Sequence, residues 1–170
     1  MIFKQVTTRY DDELVFDGRA NVVLRLINYV TNEHKTMGEF IGYRGFANFD
    51  KGSMERSFYA TQMLYNKIDG DKLVHLILSF SWDLSIDEDL AMRIANVVAD
   101  TIGKEHQVIF GVHVNGLDPH IHFIINPVSY INGKEYIFNS TKVKIYGRAI
   151  KDAVAEIAPD TFIEGCTYVL

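Results

Sequence analysis

Polar and apolar positions along the chain change their period several times, and each change marks a different element. Residues 2–8 read as a first strand. Ala20–Val30 (ANVVLRLINYV) reads as a mostly apolar helix that the polar run TNEHKT ends. The stretch 38–52, GEFIGYRGFANFDKG, follows no steady period and reads as a long irregular loop, whose length makes it a functional candidate. Ser53 is placed to cap a helix that runs to Lys67, with Met54, Phe58, Ala60, Met63 and Leu64 along its apolar stripe. KLVHLILSFSW (72–82) is then a nearly continuous apolar strand.

Ser85 followed by Glu88 is a capping-box signature. It opens a helix whose Leu90, Ile94, Val97, Val98 and Ile102 share a face and which Gly103 closes. HQVIFGVHV (106–114) and HIHFIINPV (120–128) read as strands joined by the short loop NGLDP. SYINGKEYIF (129–138) predicts a second hairpin around a type I′ turn at Asn132-Gly133. A helix through Ile145–Ile157, Pro159 and a short strand, TYVL, complete the chain. The order predicts an α+β fold, a mainly antiparallel central β-sheet covered by α-helices in a two-layer sandwich. At 170 residues, with no linker, low-complexity tract or repeat, the expectation is a single domain over residues 1–170.

Composition narrows the setting. No apolar run approaches the roughly 20 residues of a membrane span, and the amino terminus MIFKQVTTRY has no signal-peptide pattern, so a soluble cytoplasmic protein with no membrane partner is expected. The lone cysteine, Cys166, excludes an internal disulfide and a multi-cysteine zinc site. The net charge of −5 is concentrated: residues 83–105 hold six acidic side chains against Arg93 and Lys104, while the rest of the chain carries 16 acidic against 15 basic. Nucleic acid is therefore permitted by charge but not suggested by it.

The chemistry is concentrated in HVNGLDPHIHFIIN (113–126), which holds three of the six histidines. On a strand, His120, His122 and Asn126 point one way and Ile121, Phe123 and Ile125 the other. The short connection brings His113 opposite His120, so three imidazoles are expected to converge on one exposed patch. Neutral imidazole binds divalent metals well, and three histidines with open positions suit a catalytic ion. Asn115, Asp118 and Asn126 are candidates to orient those ligands by hydrogen bonds. His34 and His106 read as ordinary surface residues. Spacing alone supports a metal-dependent hydrolase or transferase on a sheet and goes no further.

As H-x-N-x-x-x-P-H-x-H-x-x-x-N, the segment resembles the three-histidine motif of relaxases, the mobilisation nucleases of the HUH endonuclease superfamily. VHLILSFS (74–81) is similar to that family's "H…SF" strand, and INYVTNEHKT (27–36) to its amino-terminal segment bearing the nucleophile. The resemblance spans roughly residues 1–158. It implies site- and strand-specific DNA nicking and rejoining at a transfer origin, in a bacterial cytoplasm, with possible accessory relaxosome proteins.

By position, the resemblance makes Tyr29 the catalytic tyrosine and Ser79 a serine near the cut strand. His113, His120 and His122 become metal ligands, with His75 behind them on the next strand, a candidate by motif for the base that helps the tyrosine. The ion it implies is Mg²⁺ or Mn²⁺ first, with Zn²⁺ or Ni²⁺ as alternatives. Asn115 stands where the family usually has aspartate, an uncharged substitute. For single-stranded or melted DNA, the aromatic and basic residues Tyr43, Arg44, Phe46 and Phe49 form a candidate clamp, with Lys35 from the amino-terminal motif. Lys142, Lys144 and Arg148, with Lys151, form a candidate phosphate track. Three alternatives stay open: a rolling-circle initiator, which generally places its tyrosine after the histidines; a relaxase-like domain that binds DNA or a partner without cutting; and an unrelated three-histidine metalloenzyme.

Overall fold

A computed structural model of the chain describes residues 1–6, 22–80, 86–114, 119–157 and 167–169. In chain order the elements are β1 (Ile2–Val6), α1 (Val22–Val30), the single turn α2 (Glu33–Thr36), β2 (Ile41–Arg44), α3 (Lys51–Leu64) and β3 (Val74–Ser79). They continue as α4 (Glu88–Ile102), β4 (Val108–His113), β5 (His120–Ile125), α5 (Ser140–Ile157) and β6 (Thr167–Val169). The strands form one sheet in the order β2-β4-β5-β3-β1-β6. The first five are antiparallel to their neighbours, and β6 lies parallel to β1. The α+β class and the mainly antiparallel sheet agree with the reading from sequence.

Strand alternation divides the core. One face carries Leu76, Leu78, Phe110, Val112, Ile121 and Phe123, and α4 and α5 cover it with Ile94, Val98, Tyr146 and Ile150. The opposite face carries Ile109 and Ile124 beneath α1 (Val23, Ile27, Val30) and α3 (Met54, Phe58). Each such large side chain stabilises the fold by about 1.5–3 kcal/mol on burial. Because both faces are covered, β4 is buried at every position, and its apolar residues Val108–Phe110 and Val112 do not alternate with polar ones.

Several local expectations change. The irregular stretch 38–52 contains β2, an edge strand whose apolar alternation is interrupted by Gly42. A Cβ there would lie 2.2 Å from the Phe110 ring, so the position has no room for an apolar side chain. Asp50, not Ser53, caps α3, accepting from Ser53 N–H at 2.7 Å, and the helix ends at Leu64 rather than Lys67. Asp87 caps α4, accepting from Leu90 N–H at 2.8 Å. Ser85 lies outside the described residues, as do residues 7, 8, 20 and 21, Asn115, Asp118, Pro159 and Cys166. The second hairpin reduces to one isolated bridge, Val128 with Glu135. Gly133 is left-handed (φ 70°) but Asn132 is not, so the turn is not type I′. His106, expected at the surface, is buried, its Nδ1 3.0 Å from the Asn126 carbonyl.

Candidate active site

The hairpin register sets the site. His113 on β4 stands directly opposite His120 on β5, and Ser79 on β3 faces His120 from the other side. Two positions inward, His122 lies between Ile77 and Gly111. Directly opposed residues share a face, so Ser79, His113, His120 and His122 project together. Ring centroids are 4.3 Å apart for His113 and His122, 5.0 Å for His120 and His122, and 5.4 Å for His113 and His120. One nitrogen from each ring lies within 4.8 Å of the other two. The patch is less exposed than alternation suggested: His113 is 1% and His122 3% accessible, because the end of α1 lies over them. His120 is only half-buried, so the site opens on its side.

Neighbouring groups set the state of each ring. His113 Nε2 lies 3.1 Å from the Val30 carbonyl oxygen, an atom that can only accept, so Nε2 carries the proton and the other ring nitrogen keeps its lone pair. His122 Nδ1 is 2.9 Å from His75 Nε2. Burial holds all three neutral at pH 7. It pushes His113 down to about 4 against the Val30 bond, with the charges of His120 and Lys35 acting in the same direction as burial. It lowers His75 to about 4, assisted by His113. His122 falls to about 2 through burial and then through the neighbouring charges of His113, His75 and His120.

The segment after α1 places the tyrosine. Thr31 closes the helix by donating its hydroxyl to the Ile27 carbonyl at 2.8 Å, and Asn32 caps α2 by accepting from His34 N–H at 3.0 Å. Met37 is left-handed (φ 53°) and ends that turn. The Lys35 carbonyl accepts from Val114 N–H at 2.8 Å, tying α2 to the end of β4 beside His113. Tyr29 is therefore held over the imidazoles, its ring centroid 5.3 Å from that of His113 and 5.4 Å from that of His122, both edge-on. It remains 41% exposed. Lys35 Nζ sits 3.7 Å from the centre of the Tyr29 ring.

Over residues 29–158 the chain matches the family model described as Relaxase: MobA/VirD2-like, nuclease domain. The chain belongs to this relaxase family. The matched region begins at Tyr29 itself and contains all three clustered histidines. No curated protein matches the chain significantly. A relaxase nuclease domain acts on DNA, and no helix among the described residues is long and apolar enough to cross a membrane.

The donor set of this relaxase domain fits a divalent metal. His122 Nε2 is buried without a hydrogen-bond partner among the described residues, an arrangement that costs free energy unless a ligand takes the lone pair. Its Nδ1 proton can go to His75, the usual way a ligating histidine is oriented.

The other anticipated residues divide. Ser79, His75 and Lys35 lie at the cluster. Tyr43 is on the histidine face, opposite Ile109, stacked on Phe49 at 5.9 Å. Arg44 does not join it. Alternation sends it to the reverse face, where it pairs with Asp100 at 2.6 Å and Asn96 at 2.8 Å on α4. Lys142, Lys144 and Arg148 ride on α5, which is packed on that reverse face, so the proposed basic track does not border the histidines. Asn126 also departs from its expected place: its side chain bonds Gln62, Gln107, the Phe58 carbonyl and Val128 N–H, and none of these bonds reaches a histidine.

Proposed function

We propose that this relaxase domain nicks one DNA strand at a transfer origin and later rejoins it through a 5′-phosphotyrosine on Tyr29. The observation that carries the reading is the placement of the Tyr29 ring against His113 and His122. A half-exposed phenol beside a three-histidine donor set can meet a phosphate bound there. The Tyr29 Oη attacks phosphorus as the bond to the 3′-oxygen breaks; the phenol proton passes to water, and the departing 3′-oxygen takes a proton from water to leave as a 3′-hydroxyl. The phosphotyrosine conserves the phosphodiester bond energy, so a returning 3′-hydroxyl can reseal the strand.

His113, His120 and His122 are the residues that would hold a divalent ion, which when bound supplies Lewis-acid polarisation of the scissile phosphate. His75 orients His122, and the Val30 carbonyl orients His113. Lys35 fixes the tyrosine ring and brings positive charge to the place where phosphate would lie. Ser79 stands next to His120, suited to contact the cut strand. Tyr43 and Phe49 offer a stacking surface for unpaired bases on the same face. Accessory relaxosome proteins and a bacterial cytoplasmic setting accompany this reading.

The test uses a randomised single-stranded oligonucleotide pool labelled at the 3′ end, because the 3′ fragment is the one that stays on the tyrosine. With Mn²⁺, wild type is expected to carry label through a denaturing gel and Tyr29→Phe to carry none. Equal labelling of Tyr29→Phe rejects the nucleophile. No labelling of a wild type that binds Mn²⁺ rejects the nicking activity.

A further inference from the structure

The middle of β4 holds Gly111, between the fully buried Phe110 and Val112. Glycine weakens a strand interior, and one reason for its presence there is the close approach of another backbone. Here that backbone is the last turn of α1. A Cβ on Gly111 would lie 2.2 Å from the Val30 carbonyl oxygen, 3.2 Å from its carbon and 3.3 Å from Thr36 Cγ2. A carbonyl within a helix cannot rotate away as a long side chain does. The end of α1 rests on the sheet because position 111 has no side chain.

The same carbonyl has a second task. Gly111 faces His122 across the ladder and lies two positions before His113, on the same face. The Val30 oxygen that it admits is the acceptor for His113 Nε2–H at 3.1 Å. Tyr29 is the residue before Val30, with its ring against His113 and His122. One contact thus controls both the lone pair that His113 offers and the height of the tyrosine above the cluster.

We infer that Gly111 is a positioning residue, which by admitting the Val30 carbonyl to the sheet selects the His113 tautomer and sets Tyr29 at reacting distance. The tyrosine half rests on the nicking function proposed above; the tautomer half stands without it. Any side chain at 111 drives the α1 end outward by about 1 Å to reach ordinary contact. A displacement of that size costs about 100-fold in a reaction that depends on alignment.

The test joins imidazole nitrogen NMR of the metal-free protein to the labelling reaction. Wild type is expected to hold His113 protonated at Nε2, with a through-hydrogen-bond coupling to the Val30 carbonyl carbon. Gly111→Ala should lose that coupling. It should label about 100-fold more slowly with the randomised pool and Mn²⁺, with little change in the oligonucleotide concentration for half-maximal rate. A folded Gly111→Ala protein that keeps the coupling, or labels at the wild-type rate, overturns the inference. If the variant does not fold, wild type decides. His113 protonated at Nδ1, or no nuclear Overhauser contact from the Gly111 α-protons to Val30 and from the Tyr29 ring to His122, overturns it; all three signals in place support it. A wild type that never labels rejects the nicking function alone, because the tautomer is still read from the spectrum.

Discussion

His75 and His122 meet on the same face of adjacent strands, with His75 Nε2 2.9 Å from His122 Nδ1 and their ring centroids 5.1 Å apart. If His122 is to use its Nε2, which has no hydrogen-bond partner among the described residues, as a ligand, its proton must sit on Nδ1 and His75 must accept it. His75→Ala is expected to weaken Mn²⁺ binding by about 10–100-fold, as loss of a ligand-orienting partner does. His75→Gln should recover part of the loss, because an amide oxygen still accepts. Calorimetric titration measures both; an unchanged affinity in His75→Ala would remove the residue from the site.

Lys35 holds the other side of the tyrosine. Its ammonium over the Tyr29 ring is a cation–π contact at a partly exposed position, worth about 0.5–1 kcal/mol. Lys35→Met keeps the aliphatic stem and the carbonyl bond to Val114 but removes the charge. The expected result is labelling slower by roughly two- to fivefold from the ring contact alone, with more lost where the charge also meets phosphate. Lys35→Arg should stay near wild type. Identical rates in all three proteins would show that the charge plays no part.

Acid should destabilise the metal-free protein within a defined window. His75 and His113 are lowered to about 4 and His122 to about 2, against an ordinary value of 6.5. Between 6.5 and about 4 the unfolded chain takes up protons that the folded chain refuses, so stability is full above 6.5 and declines as pH falls. Each such proton contributes a slope of up to about 1.4 kcal/mol per pH unit. Urea unfolding midpoints between pH 7.5 and 4 report this directly. Midpoints constant across that range would contradict the neutral buried state of the rings.

Tyr43 and Arg44 are neighbours in sequence but point to opposite faces, and they should behave differently on substitution. The Arg44 pair with Asp100 is largely exposed, with side chains 33% and 61% accessible, so Arg44→Ala should cost about 0.2–1 kcal/mol of stability and leave oligonucleotide affinity unchanged. Tyr43→Ala should weaken single-stranded oligonucleotide binding by about 1–3 kcal/mol if bases stack there. Fluorescence anisotropy separates the two. Loss of affinity in Arg44→Ala and not in Tyr43→Ala would place the DNA on the other face.

Much of this architecture was legible along the chain because the signals are local. The alternation in HIHFII, the brief loop that sets His113 against His120 and the face of α4 all follow from periods of two and 3.6 residues. Edge strand β2 is not legible in this way, because Gly42 and the half-buried positions around it break the apolar alternation. Helix starts were misplaced by a few residues because Asp50 and Ser53, like Ser85 and Asp87, are equally good caps by composition. Only the surrounding packing chooses between such residues. Gly111, inside the otherwise apolar β4, lies where the α1 backbone passes over the histidine face, a contact that no local period encodes.

By itself the sequence determined which residues share a face of the sheet, since strand and helix periods depend on backbone geometry alone. It therefore determined that three imidazoles would converge. Packing buried two of them beneath the end of α1, brought His75 Nε2 to His122 Nδ1, and set a main-chain carbonyl against the His113 ring. It also sent Arg44 and the basic residues of α5 to the far face. The physical reason is that every residue has a carbonyl and most have a side chain able to make contact. Which of them meet across 83 positions, as Val30 and His113 do, is settled only when helices and sheet pack.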